Sequence, residues 1–187
     1  MQEKFYIAIL LCSIIFLGSC AVKSKYFKNQ TENENILFKE KYESLNNKKS
    51  KNDKKYIYEH IEINEKNKMV ELSYDEVLNL LDYGTGILIF TSPYENECRK
   101  FIPIFTDYTI KINEFAYYYD LLNDKSENNL NYQKLTNKLA DYIIDNELNE
   151  PMVLFIKEGK IIDYINEFEN DDLSIVLKEK YETYLKA

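Results

Sequence analysis

Ile87-Leu88-Ile89-Phe90 is an unbroken apolar run bounded by turn signals. A strand points successive side chains to opposite faces of its sheet, so a run with no polar member must be covered on both faces. The run therefore reads as a central strand and asks for helices on either side of it.

The flanking segments supply those helices. Ser73 followed three residues later by Glu76 is a capping box. It opens a helix bearing Val77, Leu78, Leu80 and Leu81, which Gly84 is placed to end. After the run, Phe101, Phe105, Tyr108 and Ile112 share one helical face, in a helix that starts near Glu95 and holds Pro103 inside it. An interior proline removes a hydrogen bond and costs about 3 kcal/mol unless the helix kinks. Tyr132, Leu135, Leu139, Tyr142 and Ile143 mark a third helix, beyond a polar loop over residues 120–131. Leu173, Val176, Leu177, Tyr184 and Leu185 mark a last one. Strands are expected at residues 56–63 (on Ile57, Ile61 and Ile63), 69–72 and 114–119, and as a hairpin of 152–157 with 160–165 around Glu158-Gly159. Strands alternating with helices and ending in a hairpin plus helix predict an α/β three-layer sandwich with a mixed central sheet.

The N-terminus points to a compartment. A short positive start, an apolar run over residues 5–17 and the sequence Leu17-Gly18-Ser19-Cys20 resemble a bacterial lipoprotein signal peptide. The resemblance implies cleavage after residue 19, a lipid on Cys20, and an extracytoplasmic protein anchored to the cell membrane or an outer membrane. Three parts follow: a signal peptide at 1–19, a lipidated cysteine with a flexible polar tether at 20–56, and a folded domain at 57–187. The tether is expected from its Lys, Asn, Glu and Ser and its few apolar residues, with a short helix around Ile36 to Leu45 as the alternative within it. Of the three cysteines, cleavage removes Cys12 and lipidation occupies Cys20, so Cys98 is left as the one thiol with no internal disulfide partner. A net charge of -8 argues against nucleic acid as a partner. His60 is the only histidine and has no ligand cluster in the sequence around it, so neither metal nor cofactor is expected.

Residues 69–187 resemble the thioredoxin-like superfamily. Those proteins place a C-x-x-C motif where a buried strand meets a helix, and residues 95–98 (Glu-Asn-Glu-Cys) occupy that window. Many carry a proline five residues after the second cysteine, as Pro103 follows Cys98. They open a hairpin strand with a cis-proline and have a glycine eight residues later, matched by Pro151 and Gly159. Residues 90–103 and 113–165 look most like bacteriocin-transport accessory proteins. The departures are specific. Glu95 stands where the family has its attacking cysteine, Tyr94 where tryptophan is usual, Ile89 where thioredoxins carry a buried acid, and Glu150 before the proline where Thr, Val or Ile is commoner.

The chemistry turns on Cys98. The start of a helix, with Arg99 and Lys100 beside it, favours the thiolate, while Glu95 and Glu97 oppose it, and the alternative is that Cys98 is a small half-buried apolar residue. The resemblance implies that Tyr94, Glu150 and Pro151 form a peptide-binding edge and that Glu95 marks the missing nucleophile. Three readings stay open. The chain is a degenerate redox module that binds an exported peptide or protein client, or a monothiol exchange enzyme acting through Cys98, or a structural envelope lipoprotein.

Overall fold

A computed structural model describes residues 27–50, 55–123, 129–145, 147–168 and 172–187. In chain order the elements are α1 (Glu34–Glu43), β1 (Met69–Glu71), α2 (Tyr74–Tyr83), β2 (Gly86–Phe90), α3 (Asn96–Ile112), β3 (Ala116–Tyr119), a 3₁₀ turn (Leu121–Asn123), α4 (Leu130–Lys138), β4 (Met152–Lys157), β5 (Lys160–Ile165) and α5 (Leu173–Lys186). The sheet order is β1-β3-β2-β4-β5. β3 is parallel to both β1 and β2, β4 runs antiparallel to β2, and β5 antiparallel to β4. With helices on both faces, this is the thioredoxin-like α/β fold expected from the sequence.

The apolar run does what its composition requires. Ile87 and Ile89 pack into one core with Phe101, Phe105, Tyr118 and Leu177, under α3 and α5. Leu88 and Phe90 point the other way, against Val77, Leu80, Leu135 and Leu139 of α2 and the α4 region. Each such side chain contributes about 1.5–3 kcal/mol by leaving water.

Local signals also resolve as structure. The Ser73 hydroxyl accepts from the Glu76 amide while the Glu76 carboxylate accepts from the Ser73 amide, closing the capping box. Glu158 and Gly159 have φ of 50° and 73°, so both central residues of the hairpin turn are left-handed. The Gly159 amide donates to the Gly84 carbonyl at 2.8 Å, and a Cβ on Gly159 would lie 2.1 Å from the Asp82 carbonyl oxygen.

Three expectations need correction. The signal peptide and Cys20 lie outside the described residues, but residues 27–50 of the expected tether are part of the fold. Phe38 and Tyr42 on α1 are buried in the α3-side core, with ring centroids 5.0 Å apart and Phe38 4.7 Å from Tyr118. They stand four residues apart on one helical face, and two aromatics suffice to dock a helix whose other positions are polar or, like Leu37, exposed. Lys41 adds ion pairs to Glu71 and Asp120. The folded unit therefore includes much of what lies before residue 57.

Residues 56–63 form no strand beyond a single bridge between Lys49 and Ile57. Ile57 is 52% exposed, and Tyr58 is buried with Ile61 and Ile63. The Tyr58 backbone pairs with Lys48 and Asn47, while side chains hold the Ile61 amide (Asn46) and the Ile63 amide (Glu43). α4 ends at Lys138, so Tyr142 and Ile143 pack from the turn after it rather than from its face.

Candidate functional site

The site lies where β2 ends and α3 begins. After Phe90 the chain passes through residues 91–94, and Glu95 is the N-cap of α3. β2 and β4 pair Phe90 with Met152, which sets Pro151 beside Thr91. The Glu150–Pro151 bond is cis, as the resemblance implied.

Cys98 sits in the first turn of α3 and is wholly buried. The Ser92 amide donates to its Sγ at 3.4 Å, and the Thr91 side chain hydrogen-bonds to it as well. Burial pushes the thiol up to about 12, against the smaller opposing pull of those hydrogen bonds; the carboxylates of Glu150 and Glu95 push it further in the same direction. At pH 7 a thiol pushed up in this way stays protonated, and the thiolate is the nucleophile. The helix dipole that would favour the thiolate is outweighed by loss of water.

α1 reaches the same buried cluster through Tyr42. The Tyr42 hydroxyl and Thr91 Oγ1 lie 2.7 Å apart, both buried. Burial raises the Tyr42 pKa well above its ordinary value, and proximity to Cys98 adds to the shift. Tyr42, Thr91, Cys98 and the Ser92 amide thus form a chain of buried, neutral hydrogen-bonding groups.

Arg99, which the sequence suggests as an electrostatic neighbour of Cys98, is wholly buried and structural. Its Nη1 donates to the carbonyls of Tyr42 at 2.8 Å and Pro93 at 3.4 Å. Nη2 donates to Asn46 Oδ1 at 2.6 Å and to the Glu59 carbonyl at 2.7 Å. The guanidinium also lies 5.4 Å from the centre of the Tyr58 ring. One side chain therefore fastens the end of α1, residues 46 and 59, and the loop before α3 to one another. The available signal was a second buried stripe, Arg99, Ile102, Thr106 and Thr109, at spacings of three, four and three. Its polar members made it look solvent-facing.

The remaining expected residues are exposed or line a groove. Glu95 and Glu97 face solvent, and Glu95 makes no side-chain capping bond. Tyr94 is partly exposed, with its ring 6.3 Å from that of Tyr58. Glu150 and Pro151 line a groove of about 730 Å³ together with Glu97, residue 149 and residues 166–168. Phe168 forms its apolar end and packs edge-on against Phe101 at 4.6 Å. Glu97, Glu150 and Pro151 thus line one groove, whereas Tyr94 and Glu95 are exposed outside its lining and Cys98 is buried. Among the described residues, no three of His, Cys, Asp and Glu are grouped to hold a metal, and no helix is long and apolar enough to cross a membrane.

No family model and no curated protein matches the chain. Among solved structures, thioredoxin O1 from Arabidopsis thaliana in the oxidized state aligns at 16% identity and a TM-score of 0.42, over 62% of this chain and 99% of its own. Thioredoxin O2 from the same plant, also oxidized, aligns at 20% identity and a TM-score of 0.42, over 62% of this chain and 96% of its own. The fold assignment stands on the strand order and directions given above.

Proposed function

We propose that this chain is a thioredoxin-fold binding module, lipid-anchored through Cys20 outside the cytoplasm. It holds an extended segment of an exported polypeptide in the groove beside Pro151 and performs no thiol–disulfide exchange. The observation that carries this is the pairing of an open groove at Glu150–Pro151 with a buried, neutral thiol. Exchange needs a thiolate in reach of a disulfide sulfur, in line with the leaving sulfur. Cys98 offers neither the charge nor the access, which speaks against the monothiol reading. A groove lined by side chains and backbone next to a strand start is the kind of surface that takes an extended peptide. The likeness to bacteriocin-transport accessory proteins is a proposal on the sequence alone.

The test is site-specific photo-crosslinking in cells that export the chain. Phe168 replaced by a photoreactive phenylalanine is expected to capture a reproducible secreted polypeptide, with Cys98→Ser making no difference. The same probe at Glu65, away from the groove, is expected to capture none. Equal capture at both positions, or capture that depends on Cys98, would refute the reading.

A further inference from the structure

We infer that the segment seated in this groove is cationic, an extended stretch bearing lysine or arginine; the inference rests on the peptide-binding reading above. The groove is lined by three carboxylates, Glu97, Glu150 and Glu167, together with Pro151 and Phe168, and among the described residues no lysine or arginine lines it. Lys100 Nζ lies 2.9 Å from Glu97 Oε1 and screens that carboxylate in part; both side chains are at least half exposed. Glu95, exposed at the helix start, extends the same sign of charge toward Tyr94.

Two features separate this from ordinary surface acidity. First, the carboxylates come from three distant parts of the chain, the start of α3, the turn before β4 and the exit from β5, and converge on one concavity. Second, another large groove among the described residues, about 910 Å³ between α3 and α5, mixes Lys111 and Lys178 with Asp107 and Glu182, so charge selects no partner there. A cleft lined by one sign of charge raises the local concentration of the opposite charge and speeds encounter at low salt. A basic residue that also carries an aliphatic stem suits a groove that combines carboxylates with an aromatic side chain.

The experiment uses the mature chain and three unstructured peptides of equal length: lysine alternating with valine, glutamate alternating with valine, and serine alternating with valine. Binding is read by fluorescence anisotropy at low and at physiological salt. The lysine peptide is expected to bind tightest, with salt weakening it most. Glu97→Gln, Glu150→Gln and Glu167→Gln together are expected to weaken it on the order of tenfold, the sum of three partly exposed ion pairs. A charge-matched control, Glu62→Gln, Glu65→Gln and Glu179→Gln, is expected to leave it unchanged. An equal loss in both triple variants would show attraction to overall charge and overturn the inference. Equal binding of lysine and serine peptides would overturn the charge preference while leaving a peptide groove intact. No binding of any peptide would overturn the groove reading as well.

Discussion

Replacing Phe38 by alanine separates a folded N-terminal segment from a tether most sharply. Phe38 has no exposed surface and packs its ring against Tyr42 and Tyr118, at centroid distances of 5.0 and 4.7 Å. Truncating a buried phenylalanine removes its transfer free energy and leaves a cavity, together about 3–5 kcal/mol. A domain of this size holds about 5–15 kcal/mol in total, so the loss is a large share of it. At roughly 2–4 °C per kcal/mol, the melting temperature falls by roughly 6–20 °C. The chain has no tryptophan, so unfolding in urea is best followed by circular dichroism of the helices. If residues 27–50 were only a solvated spacer, the same change would move stability by no more than about 0.5 kcal/mol. A loss below about 1 kcal/mol would refute the docking of α1. Because Tyr42 rides on α1 one turn further on, Phe38→Ala is also expected to raise the rate at which Cys98 reacts with a thiol reagent under native conditions.

Three more outcomes follow from particular contacts. Arg99→Lys replaces a fork that reaches four acceptors by a single ammonium, so the segment around residues 44–50 and 55–59 is expected to loosen, at a cost of about 3 kcal/mol or more, and to become the first site of limited proteolysis. Stability is expected to fall as pH rises from about 9 toward 12. The unfolded chain releases the Cys98 proton near its ordinary value while the folded chain keeps it, so the folded state binds more protons in that window, with a slope of up to about 1.4 kcal/mol per pH unit. In Cys98→Ser that slope should be lost between about pH 9 and 10, before Tyr42 and the other buried tyrosines begin to contribute in the same direction. Gly159→Ala, at a left-handed φ and with its Cβ driven into the Asp82 carbonyl, is expected to cost more than about 1 kcal/mol in urea unfolding, where a value near zero would show that the turn relaxes.

The central fold was legible because its signals are local. An apolar run, a capping box and a Glu-Gly turn each state their structure within a few residues, and all three stand where expected. Pro103 inside α3 was legible from the helical pattern around it, while the window at residues 95–98 and the cis-proline entered only through the resemblance to thioredoxin-like proteins. What stayed hidden depends on contacts far apart in the chain. Phe38 and Tyr42 look like stray aromatics in a polar stretch until Tyr118 and Thr91 are brought against them. Arg99 reads as surface charge until carbonyls from residues 42 and 59 surround it. The thiol followed the same pattern. Its neighbours in sequence pull both ways, and its burial in the folded chain decides the sign of the shift.

The measurement that bears most directly on the loss of exchange chemistry is the alkylation rate of Cys98 by iodoacetamide in the folded mature chain as a function of pH. The expected result is negligible reaction from pH 6 to 9, with full reaction only after unfolding in urea. Fast native-state alkylation with a midpoint below about pH 8 would contradict it, because that thiol would be exposed, ionised and available for exchange.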